Sequence, residues 1–470
     1  MPSNLLRNLP SVNELLESPP LKGLVSRVSH NVVVGRVRSF LDDLRTEIQA
    51  TAAEVKFPDV KELAQRIAER ILESDKPQLR PAINATGVLL HTGLGRAPLA
   101  EEAIAEMVAV ARDYASVELD LATGQRSQRV LAVEGLLTEL TGAEAALVVN
   151  NNAGATMLAL AALAAGREVI VSRGQLIEIG GSYRLPEVMA TSGAVLREVG
   201  TTNKTRLDDY DRAIGEATAA LMLVHPSNFV VAGFSESVSL AELAKLGRSK
   251  SLPVIHDIGS GAMIDFAEFG FADEPVAATS IKQGADVVLF SGDKLLGGPQ
   301  CGVIVGRREL IDKISRHPLT RALRVDKLTL AALAGTLRLY RDLEKAKRRL
   351  PLLQLLSTSL DNLRTRAERL APQMATSHAI AAADAIADVT YLGGGAVPTQ
   401  QLDTWCVALT PAEISVDRLA ARLRTGQPSV VGRVRDERLY LDLRTVFPRQ
   451  DLDLVAAVRA VGENLSAKAT

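Results

Sequence analysis

Between Asn13 and Glu73 apolar residues recur at steps of three and four, as in Leu15, Leu16, Val33, Val37, Leu41, Leu44, Ile48, Leu63, Ile67 and Ile71, with Pro19, Pro20 and Pro58 as punctuation. One apolar stripe per helical turn predicts amphipathic helices, so residues 1–75 read as a small helical domain. From Ile83 to about Tyr340 the period changes. Short β-branched runs at Ala145–Val149, Glu168–Val171, Val195–Val199, Ala219–His225, Pro253–Asp257, Asp286–Phe290 and Val303–Val305 alternate with helical stretches. That alternation predicts an α/β domain over residues 76–340, with a mainly parallel seven-stranded sheet and helices on both faces. Beyond Tyr340, a helix-like stretch Leu343–Leu370 precedes runs at Asp403–Leu409, Ser429–Val434 and Arg438–Leu443, two of them separated by Arg435, Asp436 and Glu437. The expected unit over residues 341–470 is a smaller α+β domain with an antiparallel sheet.

Composition narrows this picture. A chain of 470 residues that is 47% hydrophobic and 23% charged can bury a large core, which excludes disorder as its main state. With 54 Lys and Arg against 55 Asp and Glu, no global positive field draws it onto polyanions, so any nucleic-acid contact needs a local patch. Residues 1–80 hold 12 basic and 11 acidic groups, among them Lys22, Arg27, Arg36, Arg38 and Arg45. Two cysteines, Cys301 and Cys406, give neither a disulfide framework nor a zinc cluster and suit a reducing compartment. The start lacks a secretory apolar segment. The most apolar helical stretch, Ala153–Gly166, is shorter than the roughly 20 residues needed to span a bilayer. A soluble cytoplasmic protein with no membrane partner is expected.

In a mainly parallel sheet, ligands gather at the strands' carboxyl ends. Three segments there carry chemistry. In Asp286–Gly302 (DVVLFSGDKLLGGPQCG) a buried strand ends at Phe290, Ser291 and Gly292 turn the chain, and Lys294 emerges at the sheet edge. A partly desolvated amine at that place has a lowered pKa and forms a Schiff base with a carbonyl. Pro253–Asp257 sets a carboxylate at the end of another strand. Asp257 there either caps a following helix or keeps a pyridine nitrogen protonated, as pyridoxal 5'-phosphate (PLP) chemistry requires. In Val148–Thr156 (VVNNNAGAT) a strand leads into a helix whose first residues, Asn152, Ala153 and Gly154, offer bare amides to a phosphate. Ser291 could add a hydroxyl to that phosphate. In this chain order the three segments match the layout of a fold type I PLP-dependent transferase.

The segments Ile83–Pro98 (INATGVLLHTGLGRAP), Asp120–Arg126, Gly200–Thr205, Val224–Asn228, Asp257–Gly261 and Ser291–Gly302 closely resemble the bacterial selenocysteine synthase family, the L-seryl-tRNA(Sec) selenium transferases. The likeness extends over nearly the full chain, including the N-terminal extension. It implies that Lys294 holds PLP as a Schiff base and, once freed, removes the seryl Cα proton. Loss of the β-hydroxyl then leaves a PLP-bound aminoacrylyl-tRNA, to which selenium from selenophosphate adds. It also implies seryl-tRNA(Sec) as substrate, docking of that tRNA on the N-terminal helices, and a homodecamer built from dimers, with Thr201 and Thr202 at a contact between dimers.

An anionic selenium donor needs cations beside the β-carbon. Arg96 in Gly93–Arg96, and Arg321 with Arg324 in His317–Arg324, suit that role by resemblance, while surface salt bridges are the alternative. Spacing of three puts Arg321 and Arg324 on one face if the segment is helical. Residues 321–349 carry nine basic and three acidic groups, a stretch that suits tRNA phosphates. Asp293 either orients substrate or caps a following helix. His225 and His256 either approach the cofactor or sit as satisfied core residues. The chain departs from the family pattern at Gly93, where asparagine is usual, at Gly154 and Thr156, where alanines are usual, and at Ser127 and Pro226. Two other readings stay open: a PLP-dependent lyase acting on a small amino acid or amino sugar acid, and a noncatalytic tRNA-binding scaffold.

Overall fold

A computed structural model describes residues 9–50, 59–75, 77–179, 183–226, 229, 231, 233–393 and 396–466. The chain divides into two compact units, Met1–Pro81 and Ala82–Thr470.

In the first unit, helices Val12–Leu16, Pro19–Val28, His30–Ala50 and Val60–Ser74 surround Leu15, Leu21, Leu24, Val33, Val37, Leu41, Leu63, Ile67 and Ile71. The Ser11 hydroxyl caps the first helix by accepting from the Glu14 amide. Pro19 begins the second helix, at the position where its missing N–H loses nothing. The three- and four-residue steps therefore became the core face. Pro58 and the side chain of Ile48 lie outside the described residues.

The second unit is built on a seven-stranded sheet. Its strands lie side by side in the order Ala145–Val149, Gly302–Gly306, Val287–Ser291, Val254–Gly259, Thr218–Val224, Glu168–Ser172 and Val195–Val199. Gly302–Gly306 runs antiparallel to both its neighbours, and the other adjacent pairs are parallel. Alternate residues enter opposite cores. Val148, Leu221, Val254, Val288 and Val303 join one cluster, whereas Leu147, Ala220, Ile255, Leu289 and Ile304 join the other. A strand covered on both faces has no solvated side, so these runs are continuously apolar. Gly302 is opposite Val149 and Ser291 in register, so it sits at the sheet's functional rim. A Cβ there would lie 2.1 Å from the Asn151 carbonyl oxygen, which only glycine avoids.

The C-terminal part of this unit corrects three expectations. The stretch Leu343–Leu370 is three helices, Leu343–Arg349, Pro351–Ser357 and Leu360–Met374, because Pro351 starts a new helix and Ser359 caps the next. Ser429–Val434 is two strands split at Gly432, where a Cβ would lie 2.7 Å from the Tyr440 carbonyl. Ser429–Val431 pairs in parallel with Ala82–Asn84, and Arg433–Arg435 enters the antiparallel sheet. That sheet is ordered Ile380–Gly393, Ala396–Pro411, Arg438–Asp442, Arg433–Arg435, and its first strand had no counterpart among the apolar runs. Among the described residues no helix is long and apolar enough to cross a membrane.

Candidate active site

Lys294 follows the strand Val287–Ser291 in a turn, not a helix. The turn is fixed by the Leu295 amide donating to the Ser260 carbonyl (2.9 Å) and the Gly298 amide donating to the Gly292 carbonyl (2.8 Å). The lysine is only 4% exposed. Burial first, then the Arg96 guanidinium, lowers its pKa, while Asp293, Asp257 and Glu274 oppose that shift. The amine is thereby brought nearer to the neutral, nucleophilic form.

Asp257 lies inside the strand Val254–Gly259, which excludes a helix-capping role. The Asn152 side-chain amide donates to its Oδ1 (2.8 Å) and the Thr156 hydroxyl to its Oδ2 (2.8 Å). Burial raises its pKa, and those two donors work against the rise. Both come from the helix Asn152–Ala164, one turn apart on one face. Thr156, noted only as a departure from the family pattern, is thus part of the acid's support.

The amide expectation for this helix needs a correction. Asn151 is its N-cap and accepts from the Gly154 amide (2.8 Å), so Gly154 is not bare. No described group accepts from the Ala153 amide, and the buried Asn152 Oδ1 has no partner. Asn152, Ala153, Asp257, Ser291, Asp293, Lys294 and Arg96 all line one cavity of about 280 Å³, which Gly154 does not.

Arg96 has φ 61°, a left-handed conformation that costs a non-glycine residue on the order of 1 kcal/mol or more. Its Nη1 donates to Asp293 Oδ2 (2.9 Å), and the Ala97 amide donates to the Asp293 carbonyl (3.3 Å). Asp293 therefore holds an arginine at the cavity wall, and no helix follows for it to cap.

Arg321 and Arg324 are not brought to this cavity. The helix Leu319–Ala322 is a single turn that ends before Arg324, whose backbone bridges to Val149. Both line a separate cavity of about 910 Å³ along the edge strand Ala145–Val149, together with Arg126, Arg129, Arg308 and Arg316. Thr201 closes a local turn, its hydroxyl donating to the Lys204 carbonyl (3.0 Å). Ser227 and Asn228 lie outside the described residues.

Of the two histidines, His256 is a satisfied core residue, its Nδ1 3.1 Å from the Ser280 hydroxyl, whereas His225 lines the Lys294 cavity. Burial holds both neutral, lowering His225 to about 4 and His256 to about 3. An unfolded chain binds these protons below an ordinary pKa near 6.5, whereas the folded chain resists them, so stability falls with pH from there down to the folded values. Each contributes about 1.4 kcal/mol per pH unit. Buried carboxylates with raised pKa values pull the other way, so the informative measurement is a difference. His256→Asn is expected to flatten the acid loss of stability by about 1.4 kcal/mol per pH unit between pH 6 and 4 in denaturant titrations. An unchanged slope would refute the assignment.

Sequence patterns missed Asn151 and Glu274. An asparagine before a helix is a recognisable cap signal, but nothing in the local sequence distinguishes Glu274 from a surface acid.

A family model described as L-seryl-tRNA selenium transferase matches residues 82–447, and one described as selenocysteine synthase N terminal matches residues 6–45. An L-seryl-tRNA(Sec) selenium transferase of Moorella thermoacetica is 49% identical over 456 residues, 97% of this chain and 96% of that protein. One of Hyphomonas neptunium is 45% identical over 460 residues, 97% of this chain and 99% of that protein. The solved structure of D-glucosaminate-6-phosphate ammonia-lyase superposes with a TM-score of 0.57 at 21% identity, covering 82% of this chain and 96% of its own, a likeness of fold. The architecture is the fold type I PLP-dependent transferase fold, as the chain order of the Asn152, Asp257 and Lys294 segments predicts. With matches in both compact units, this chain belongs to the L-seryl-tRNA selenium transferase family.

Proposed function

We propose that this chain converts L-seryl-tRNA(Sec) to L-selenocysteinyl-tRNA(Sec) in the cytoplasm, as a homo-oligomer, with PLP on Lys294 and selenophosphate as selenium donor. The observation that carries this reading is the match at both ends of the chain, to the N-terminal helices as well as to the catalytic unit. A lyase acting on a small molecule has little use for the former.

The site's residues fit the cofactor. A buried amine, a carboxylate held by two donors and a helix amide end face one cavity. Lys294 would hold the aldehyde carbon, Asp257 the ring nitrogen, and Ala153 with Ser291 the phosphate. PLP, when bound, supplies the electron sink that acidifies the seryl Cα–H. The Lys294 amine, once free, takes that proton as general base. Arg96, kept at the cavity wall by Asp293, is placed to bind the anionic donor. Arg321 and Arg324, in their separate basic cavity, suit tRNA phosphates better than the donor. Arg27, Arg36 and Arg38 make no ion pair among the described residues and are exposed, which suits the N-terminal unit to the same polyanion.

The purified, cofactor-loaded protein is expected to form selenocysteinyl-tRNA from seryl-tRNA(Sec) and selenophosphate; no product would refute the reading. Deleting residues 1–75 should weaken tRNA(Sec) binding by about 10-fold or more, equivalent to roughly 1.4 kcal/mol, and leave the visible cofactor absorbance intact. Full affinity after deletion would remove the docking role.

A further inference from the structure

The mechanism above leaves one chemical need unmet, because the seryl hydroxyl is a poor leaving group unless it receives a proton. His225 stands just past the strand Thr218–Val224 and lines the Lys294 cavity. Its Nε2 is buried without a hydrogen-bond partner and lies 3.9 Å from Glu274 Oε2. Both Glu274 carboxyl oxygens and the Ser260 hydroxyl are likewise buried without a hydrogen bond of normal length, and Ser260 is near enough to Glu274 to oppose the rise of its pKa. Unpaired polar atoms inside a protein are rare, and several at one place beside a catalytic cavity point to a working group more than to packing.

The charged groups around this cluster decide its protonation. His225 faces Glu274 and Asp273, Lys294 across the cavity, and His256 on the neighbouring strand. Glu274 faces Ser260, Asp273 and Lys294 as well as His225. Burial raises the Glu274 pKa, which favours the protonated carboxyl, and burial keeps the imidazole neutral. A neutral imidazole whose Nε2 faces a carboxylic O–H carries its own hydrogen on Nδ1. The 3.9 Å separation is a small side-chain rotation beyond hydrogen-bond reach.

We propose that His225 and Glu274 form a proton relay that ends on the seryl hydroxyl as it departs, a role that rests on the function proposed above. When the Cα–H electron pair forms the Cα=Cβ bond, the Cβ–O pair leaves on oxygen, the imidazole proton joins that oxygen, and water is released. The Glu274 proton moves to Nε2. The carboxylate left behind is balanced by Lys294, which at that moment holds the Cα proton as an ammonium. At the end of the cycle solvent entering the cavity returns a proton to Nδ1, and the Nε2 proton passes back to Glu274. His225 is the catalytic residue of the pair, and Glu274, acting through it, is the positioning residue.

The test uses full-length, cofactor-loaded protein with seryl-tRNA(Sec) in D2O and no selenium donor. Deuterium entry at Cα reports proton removal, and loss of an 18O label from the seryl hydroxyl reports elimination. His225→Gln is expected to slow elimination by about 100-fold or more while Cα exchange stays within about 3-fold. Glu274→Gln should slow elimination in the same direction and abolish the alkaline fall of its pH profile, and Glu274→Asp should partly restore both. Visible cofactor absorbance reports whether each variant keeps its site, and if His225→Gln loses it, the two Glu274 variants decide. Equal loss of exchange and elimination, or elimination at the wild-type rate, overturns the relay. A wild-type protein that catalyses neither step overturns the proposed function along with it.

Discussion

Lys294→Ala is expected to abolish covalent attachment of the cofactor and to lower turnover by at least the roughly 10²–10⁴-fold that a positioned general base supplies. The loss is large because one buried amine serves two purposes. It is the only described lysine in the cavity, and burial together with Arg96 shifts it towards the free base. Arginine cannot substitute, since its guanidinium keeps its proton at any physiological pH and does not condense with the aldehyde. Lys294→Arg should therefore be as inactive as alanine while keeping the cation that Asp257, Asp293 and Glu274 face. Visible absorbance and intact mass after borohydride reduction measure attachment, and tRNA(Sec) binding serves as the control that should persist. An undiminished absorbance band in either variant would remove Lys294 from the centre of the site.

Much of this arrangement was legible in the chain itself. Each of the seven β-branched runs matches a strand of the sheet within two residues. The interior ones do so because burial on both faces leaves apolar segments, whereas the exposed edge strand Val195–Val199 keeps Arg197 and Glu198. Lys294, Asp257, Ser291, Asn152 and Ala153 meet in one cavity because each lies near or just past the carboxyl end of a strand, and these strands point the same way. Elsewhere local sequence was ambiguous. Ile380–Gly393 is rich in alanine, a helix former, and is a strand because it pairs along the length of Ala396–Pro411. The resemblance groups Arg321 and Arg324 with Arg96, but one turn of helix followed by extended chain carries these two along the sheet edge. Thr156 could have been found, since a hydroxyl four residues after Asn152 shares its helix face. The burial of Glu274 depends on distant residues closing over it, which no local pattern encodes.

Asp257→Asn carries the second large effect. The native carboxylate accepts from Asn152 at one oxygen and from Thr156 at the other, and it is only 5% exposed. An asparagine keeps its oxygen for the Asn152 amide and turns its NH2 group towards the Thr156 hydroxyl, which can accept from it while donating to the Asn152 carbonyl (3.0 Å). The change trades hydrogen bonds to a carboxylate for neutral ones, a cost of about 1 kcal/mol that a thermal melt would register as a small loss. The functional loss should be larger. The negative charge that favours a protonated ring nitrogen is gone, and removing one preorganised electrostatic partner typically lowers kcat by about 10²–10³-fold. Thr156→Val separates the two contributions, because it removes a donor to Oδ2 and leaves the charge in place. It should reduce kcat less than Asp257→Asn and should push the carboxyl pKa further up, since a donor that opposes the rise is lost. If Asp257→Asn keeps kcat within about 3-fold of wild type while lowering only the melting temperature, the acid is a support for the helix Asn152–Ala164 and has no electronic role.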